Sequence, residues 1–293
     1  ASGFVTLTLA SINNGNCNAV TDVVQINFTG APAVSAGTDI IVCENNPSSI
    51  LTGLISGPTT TGVWNGGNGT YNPSNTDLNS IYTPSSSELA AGSVTLTLAS
   101  TNNGSCNQVL DTLVINFTTA PSVNAGTDLN LCKNNASTIL TGLVNGATTT
   151  GVWSGGSGTY NPNNSVLNAT YTPSSSELSA GFANLYLTST NNGTCNQVID
   201  TVVISFNNAP VVLAGPDISV CANNPTVSIT GSVSAGSTTG VWSGNGSGLF
   251  SPSTNSLNAT YLLSQADVAQ GSVIIKLTST NNGNCNAVYD SLI

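Results

Sequence analysis

Short segments of the chain alternate between apolar and polar side chains. From residue 93 to residue 100, Val94, Leu96 and Leu98 alternate with serine, threonine and alanine. A period of two residues puts the apolar side chains on one face of a β-strand and leaves the other face to solvent. The chain returns through residues 109–117 with a similar alternation. The two segments therefore predict a β-hairpin with one buried face.

The residues around this hairpin predict further local structure. Asn102-Asn103-Gly104 lies between the two strands, and Asn-Gly tolerates the positive φ angles of a tight type I′ turn. A serine cap, a glutamate in the first turn and a final glycine predict one helical turn from Ser85 to Gly92. Further short strands are predicted at residues 40–42, 50–54, 63–64 and 81–84.

The whole pattern repeats along the chain. Gly62-Val63-Trp64 returns 89 residues later as Gly151-Val152-Trp153, and once more as Gly240-Val241-Trp242. A fixed period of this length suits a tandem array of small domains. An Ala-Pro pair opens each repeat and predicts a short, stiff linker. The predicted domains are residues 1–29 (the last part of a truncated repeat), 30–118, 119–207 and 208–293 (truncated at its end).

About seven short strands around one tryptophan per repeat are typical of an immunoglobulin-like sandwich. The predicted fold is all-β, a tandem array of immunoglobulin-like β-sandwich domains, each with one disulfide. Residues 1–29 hold only the last two strands of such a domain, and a lone hairpin is marginal in water. We expect this hairpin to need a preceding segment, or another molecule, to complete its sheet.

Two cysteines recur in each repeat. Paired recurrence in a histidine-free, asparagine-rich chain favours disulfides and an extracellular, oxidising location. The predicted disulfide lies within each repeat, at one end of the sandwich. The alternative is that the cysteines are buried free thiols. The predicted pairs are Cys43–Cys106, Cys132–Cys195 and Cys221–Cys285, and Cys17 has no partner in this sequence.

Charged side chains are scarce. The chain has two Lys+Arg, twelve Asp+Glu and no histidine, which gives a net charge of −10. So few basic side chains argue against nucleic acid and against anionic membrane surfaces as partners. No stretch is long and apolar enough to insert into a membrane. At 39 % hydrophobic residues in strand-like runs, the chain is predicted to fold rather than to be disordered.

Candidate chemistry is sparse. Without histidine the sequence cannot form a Ser-His-Asp triad, and the carboxylates that recur are far apart, so no enzyme activity is expected. Calcium is the one ion with candidate ligands, at Asp39, Asp128 and Asp217. The alternative is that these aspartates cap turns, and we expect no other cofactor. One aromatic pair recurs in each repeat, and it either forms a platform on which sugar rings stack or packs in the core. The pairs are Trp64/Tyr71, Trp153/Tyr160 and Trp242/Phe250.

The recurring motifs resemble a known family. They are Ala36-Gly37-Thr38-Asp39, Val42-Cys43, Gly62-Val63-Trp64, Tyr82-Thr83-Pro84, Glu88-Leu89 and Asn102-Asn103-Gly104-Ser105-Cys106. They are similar to repeats of giant cell-surface proteins of Bacteroidetes, best known as mobile adhesins of gliding bacteria exported by type IX secretion. The resemblance covers essentially the whole chain. It implies surface display, adhesion and long filaments, and it implies no catalytic residues.

The resemblance also implies a candidate modification. Members of that phylum O-glycosylate a motif of aspartate, then serine or threonine, then an apolar residue. Thr112, Thr201 and Ser291 stand in such motifs, whereas Asp22-Val23 does not match. A chance match within a repeated strand start is the alternative.

The sequence as a whole predicts an extracellular, cell-surface segment. Its function would be a semi-rigid stalk of an adhesin or filament, for attachment or gliding. Its partners would be neighbouring repeats, other copies in a filament, and a surface or glycan ligand that the sequence does not identify. Two alternatives remain: a purely structural filament or sheath, and a carbohydrate-binding array of a secreted protein.

Overall fold

A computed structural model describes residues 3–293 and is nearly all β-structure. It begins with an antiparallel hairpin, β1 (Gly3–Ala10) and β2 (Thr21–Phe28), in which Gly3 lies opposite Phe28. The apolar face of this N-terminal hairpin is exposed at Val5, Leu7 and Ile26. Their equivalents in the next repeat, including Leu96 and Ile115, are buried, because there a second layer of strands covers them.

The first repeat holds nine strands and one helical turn. Its strands alternate as the sequence predicts, but a short strand that follows the linker was not foreseen, and residues 50–54 form two short strands rather than one. The elements are β3 (Ala33–Ser35), β4 (Ile40–Cys43), β5 (Ser49–Ile50), β6 (Leu54–Ser56), β7 (Gly62–Asn65), β8 (Thr70–Asn72), β9 (Ile81–Thr83), α1 (Ser86–Ala91), β10 (Ser93–Ser100) and β11 (Leu110–Thr118).

These strands form two layers around one core. One layer is a four-stranded sheet in the order β4-β11-β10-β7, in which β4 runs parallel to β11 and the other pairs are antiparallel. The other layer consists of the two-stranded sheet β3-β6 and the three-stranded sheet β5-β9-β8. An early strand parallel to the last, beside an antiparallel hairpin, is the order of an immunoglobulin-like sandwich. The predicted all-β, immunoglobulin-like fold is therefore confirmed.

The second repeat has the same elements and the same sheet orders, β13-β20-β19-β16, β12-β15 and β14-β18-β17. They are β12 (Ser122–Asn124), β13 (Leu129–Cys132), β14 (Thr138–Ile139), β15 (Leu143–Asn145), β16 (Thr150–Gly155), β17 (Thr159–Asn161), β18 (Thr170–Thr172), α2 (Ser175–Ala180), β19 (Phe182–Thr190) and β20 (Ile199–Asn207).

The third repeat forms the sheets β24-β27-β28, β21-β23 and β22-β26-β25. Its elements are β21 (Pro210–Leu213), β22 (Thr226–Thr230), β23 (Ser232–Ala235), β24 (Thr239–Gly244), β25 (Leu249–Ser251), β26 (Asn258–Leu262), α3 (Gln265–Gln270), β27 (Ile275–Thr280) and β28 (Tyr289–Leu292).

Residues 217–221 form no strand, unlike their equivalents β4 and β13, and the Ile218 N–H donates to the Ile293 carbonyl at 2.9 Å. A cleft of about 590 Å³ opens there beside the core.

A buried tryptophan lies at the centre of each repeat. Trp64 is 0 % exposed, and its indole N–H donates to the Leu78 carbonyl at 3.2 Å. Gly53 packs directly against it: a Cβ at Gly53 would lie 3.0 Å from Trp64 Cζ2, so only glycine fits where β5 gives way to β6. Trp153 and Trp242 are equally buried.

The chain divides into two compact units, and the predicted domain boundaries stay a prediction. One unit holds residues 1–121 with 146–148 and 191–197, and the other holds 122–145, 149–190 and 198–293. The turn at residues 191–197 thus belongs with the first repeat, although the strands on either side of it belong to the second. This assignment reflects the contacts of that turn.

Candidate functional site

The predicted pairing of cysteines within each repeat is wrong. The disulfides are Cys43–Cys195 and Cys132–Cys285, with Cα–Cα distances of 4.8 and 4.9 Å and sequence separations of 152 and 153 residues. Each bond joins the first cysteine of one repeat to the second cysteine of the next. Cys106 and Cys221, predicted to be paired, are free thiols, as is Cys17.

The geometry of the last strand explains the error. Strand β11 begins at Leu110, close after Cys106, and ends at Thr118, which pairs with Cys43. A strand of nine residues spans about 30 Å, so the two cysteines of one repeat lie at opposite ends of the sheet and cannot bond. The predicted bond within each repeat requires both cysteines at the same end of the sandwich.

The second cysteine of each repeat lies instead over the linker that enters that repeat. The Cys106 thiol is 3.5 Å from the Gly30 carbonyl, and Cys195 Sγ is 4.0 Å from the Thr119 carbonyl. The end of β4 reaches the linker between the first and second repeats, because the Glu44 N–H donates to the Thr118 carbonyl at 3.0 Å. The first cysteine of one repeat therefore meets the second cysteine of the next at their linker.

Asparagines surround the first disulfide. Asn45 Nδ2 donates to the Asn196 carbonyl at 3.0 Å, while Asn45 Oδ1 accepts from the Asn196 N–H at 2.9 Å. Asn196 Nδ2 donates to the Asn45 carbonyl at 2.9 Å, and Asn46 Nδ2 donates to the Thr194 carbonyl at 3.3 Å. We call this disulfide with its four amide hydrogen bonds a clasp. It joins an early turn (residues 43–46) to a late turn (residues 191–196).

The second disulfide lies in an equivalent clasp. Asn134 exchanges bonds of 3.1 Å with the backbone of Asn286, and Asn286 Nδ2 donates to the Asn134 carbonyl at 2.8 Å. Asn135 Nδ2 donates to the Asn284 carbonyl at 3.1 Å. Each clasp lies within one compact unit: the first in the unit that holds residues 191–197, the second in the other. The arrangement is therefore a repeated feature of the fold.

Sequence reasoning missed the asparagines of the clasp. The signal is nevertheless present, because Asn-Asn follows each first cysteine after one residue, and an asparagine directly follows each second cysteine. The predicted type I′ hairpin turn was also wrong. Positive φ angles occur at Asn102 (56°) and Gly104 (62°), within a loop that runs from the end of β10 to Leu110 and carries Cys106 outward.

The recurring aspartates hold the sandwich together. Asp111 Oδ2 accepts from the Ala36 N–H at 2.8 Å, and Asp39 Oδ1 accepts from the Val114 N–H at 2.9 Å. Asp128 and Asp217 accept the equivalent bonds at 2.9 Å. Within residues 3–293, no group of three or more acidic or cysteine side chains lies close enough together to hold a metal ion. Calcium binding at Asp39, Asp128 and Asp217 stays a prediction.

A buried carboxylate anchors the helical turn of each repeat. Glu88 closes the predicted capping box with Ser85, and its Oε1 accepts from the Tyr82 hydroxyl and from the Asn68 N–H, both at 2.7 Å. Burial alone would raise the pKa of Glu88, but the hydrogen bonds from Ser85, Tyr82 and Asn68 outweigh it and lower that pKa. Burial, assisted by Glu88, raises the pKa of Tyr71 to about 12.

The aromatic pairs form core rather than a sugar-stacking platform. Trp64 and Trp153 are 0 % exposed, so their ring faces are not available to a ligand. Tyr71, Tyr160 and Phe250 are partly buried beside the cores, each with its ring centre within 4.9 Å of a second aromatic ring. The interpretation of these residues as core is confirmed.

The candidate glycosylation sites lie on outward faces of the last strands. Thr112 is exposed on β11 opposite Thr97, and Thr201 is exposed on β20 opposite Tyr186. Ser291 is exposed on β28 opposite Lys276. The hydroxyl groups face away from the core, and their modification stays a prediction, which peptide mass mapping of the native protein would test.

Known sequences and structures place this fold in context. No protein-family model matches the chain, and no curated protein matches it. Among solved structures, an I-band fragment of titin is similar over 90 % of this chain and 98 % of its own length, at 9 % identity and a TM-score of 0.47. Sidekick-1 immunoglobulin domains 1–5 are similar at 13 % identity and a TM-score of 0.34, over 97 % of this chain and 64 % of that one.

The N-terminal eight immunoglobulin domains of Down Syndrome Cell Adhesion Molecule also match, at 11 % identity and a TM-score of 0.36. The match covers 98 % of this chain and 46 % of that structure. These structural neighbours are tandem immunoglobulin-domain proteins, and the fold assignment here rests on the strand order described above. Across residues 3–293, no helix is long and apolar enough to cross a membrane.

Proposed function

We propose that this chain is an extracellular stalk segment of a cell-surface adhesin or filament, in which each repeat is covalently joined to the next. The observation that carries the proposal is the clasp, which occurs twice, between equivalent residues of successive repeats. A disulfide between consecutive domains contributes little to catalysis or to ligand binding. It does keep neighbouring repeats together when the chain is pulled.

The chemistry of the clasp supports an extracellular location. Disulfides persist in an oxidising compartment, whereas cytosolic thiols are kept reduced, so the two disulfides fit a location outside the cytosol. The resemblance to repeats of Bacteroidetes surface proteins supports display on the cell surface, export by type IX secretion, and a role in attachment or gliding. The exposed surface is rich in serine, threonine and asparagine and nearly free of basic side chains, which suits a fibre that contacts water along its length.

A purely structural filament or sheath remains the second candidate, and the clasp favours it as much as it favours an adhesin stalk. The carbohydrate-binding array loses its support, because the tryptophans that would have stacked on sugar rings are buried. The surface or glycan ligand of an adhesin would therefore lie on residues other than these aromatic pairs.

Antibody labelling tests the location. An antibody raised against the first repeat should decorate thin fibres on intact producing cells, seen by immunogold electron microscopy. Label that is found only in the culture medium, with bare cells, would overturn the surface-stalk proposal.

Stretching of single molecules tests the mechanical role. In a C132S/C285S variant, the remaining Cys43–Cys195 bond closes 152 residues, so the unfolded chain should extend by roughly 500 Å less than the same variant after reduction. A C106S variant is the matched control, because Cys106 is a free thiol and its loss should leave the extension unchanged. Equal extension with and without reductant would show that the bond carries no load.

A further inference from the structure

Three segments of the chain run between the same two disulfides. They span 89, 63 and 90 residues and are residues 43–132, 132–195 and 195–285. Because Cys43 is bonded to Cys195, and Cys132 is bonded to Cys285, each segment begins at one disulfide and ends at the other. The three segments are therefore connected in parallel, and a pulling force that passes from one disulfide to the other is divided among them.

The fold of the first repeat shortens the first segment, residues 43–132. Cys43 lies opposite Thr118 where β4 runs parallel to β11, and the Thr118 hydroxyl donates to the Val42 carbonyl at 3.2 Å. While these strands stay paired, only the chain from Thr118 to Cys132 can be drawn out. Its 14 residues reach at most about 50 Å, so a longer separation of the two disulfides requires the first repeat to open.

The third repeat shortens the last segment, residues 195–285, in the same way. Cys285 follows β27, and its sulfur lies 3.7 Å from the Asn208 carbonyl, which comes just before β21. Strands β21 and β27 contact each other in the folded repeat. While that repeat is folded, only the chain from Cys195 to Asn208 can be drawn out, and its 13 residues reach at most about 45 Å.

The middle segment, residues 132–195, contains most of the second repeat. It carries strands β14 to β19, and the buried Trp153 lies among them. This segment lengthens only when the core around Trp153 opens. Each of the three segments therefore includes a folded repeat that keeps it short. The two disulfides can move far apart only if all three repeats open, since no one of these segments can lengthen alone.

We propose that the two overlapping disulfides form a mechanical interlock, through which three repeats resist extension together rather than one after another. In a simple tandem array the domains are in series, so each bears the whole force and the weakest opens first. Forced unfolding is governed by the unfolding rate, which increases with the force on a domain. Because the interlock divides the force among three repeats, it lowers that rate for each of them.

The pairing of the cysteines decides between these two arrangements. A bond within each repeat, such as Cys43–Cys106, would close each domain separately and leave the domains in series. The observed bonds instead cross from repeat to repeat and overlap. The interlock rests on the load-bearing role proposed above and specifies how that load is divided. It does not depend on where the protein is displayed.

Stretching of the full chain, held by its two ends, tests the interlock. In the oxidised wild type, the chain between the two disulfides should lengthen in one event, at a higher force than any step of the reduced chain. The C132S/C285S variant keeps one bond and leaves the third repeat in series, so that repeat should open in a step of its own. C43S/C195S should likewise give a separate step for the first repeat.

The final extension is a second, independent measurement, because it depends on connectivity alone. With both bonds present, the taut connection between the disulfides is the middle segment of 63 residues. Each single-bond variant is stretched instead through a segment of 90 or 89 residues, so the fully unfolded wild type should be roughly 100 Å shorter than either variant. C106S is the matched control, and its traces should match those of the wild type, because Cys106 is a free thiol.

Reduction of the wild type distinguishes the two ways in which these ideas can fail, and it needs no variant to fold. If reductant leaves the final extension unchanged, the disulfides bear no load, and the load-bearing role fails together with the interlock. If reductant lengthens the chain, the load-bearing role stands. The interlock alone is then overturned if the oxidised wild type opens its first and third repeats in separate steps, at the forces seen in the reduced chain.

Discussion

The cores of the repeats and the clasps between the repeats are stabilised by different interactions. Each core buries a tryptophan, a tyrosine and a set of aliphatic side chains behind two layers of strands. The clasps use exposed asparagine amides, which water can also satisfy, and such hydrogen bonds contribute only about 1 kcal/mol each. The disulfides belong to the clasps, and the apolar core clusters contain no cysteine. The covalent bond therefore stabilises the connection between repeats, and the sandwich itself folds on apolar contacts.

The largest effect should come from breaking a clasp covalently. A bond that closes 153 residues stabilises the folded chain by about 5 kcal/mol in the loop-entropy model. The C132S/C285S variant should lose about that much free energy of unfolding in urea, while its circular dichroism without denaturant stays native. C106S should lose nothing. An equal loss in C106S would contradict the assignment of Cys106 as a free thiol.

The next effect should come from one core. Trp153→Ala removes a side chain that is 0 % exposed and should cost about 4 kcal/mol of unfolding free energy. The disulfides should still form, as thiol counting in denaturant would show. Tyr160→Ala is the control, since Tyr160 is only partly buried and should cost less. If Trp153→Ala left stability unchanged, the core interpretation of the tryptophan would fail.

The third prediction concerns the buried carboxylate beside the core. Glu88→Gln weakens hydrogen bonds to a charged group and should cost about 2 kcal/mol at neutral pH. The lowered pKa of Glu88 adds stability that is present above its ordinary pKa of 4.5 and is lost as the pH falls below that value. The free energy of unfolding should therefore decrease more steeply between pH 7 and pH 3 in the wild type than in E88Q.

Asp77→Asn is the matched control for that titration. Asp77 is an exposed carboxylate that accepts one bond from the Asn79 N–H, so Asp77→Asn removes one negative charge without touching the partners of Glu88. If D77N and E88Q flattened the pH profile equally, Glu88 would not be the group responsible.

The smallest effect should come from the amides of a clasp. Asn45→Ala removes two hydrogen bonds to Asn196 but leaves the disulfide, and should cost about 1 kcal/mol. Asn223→Ala changes the equivalent residue beside the free thiol of Cys221 and should cost nothing under the same conditions. A loss of the same size in both variants would mean that Asn45 acts within its own turn and not across the clasp.

Most features that depend on local sequence could be predicted here, although the turn at residues 102–104 was not, and the pairing of distant cysteines could not be predicted. The alternation at Val94, Leu96 and Leu98 is a property of one strand, and the capping box at Ser85 and Glu88 is a property of one helical turn, so both were found. Strand β3 was missed because three residues after a proline carry too little pattern to be recognised.

The disulfide pairing shows the limit most clearly. In a periodic chain, the spacing of cysteines fits Cys43–Cys106 and Cys43–Cys195 equally well. What decides between them is that β4 runs parallel to the end of β11, which carries Cys43 away from Cys106 and toward the linker. A parallel pairing of strands far apart in sequence leaves no local mark on either strand, so the register of the sheet had to be known first.

The two disulfides overlap along the chain, because Cys132 lies inside the segment that Cys43 and Cys195 close. A protease that cuts the backbone once between Cys43 and Cys285 therefore severs no connection: at every position there, at least one disulfide bridges the cut. The damaged molecule stays in one piece until it is cut again or reduced. This redundancy gives the segment a tolerance to damage that a chain of separately closed domains would lack.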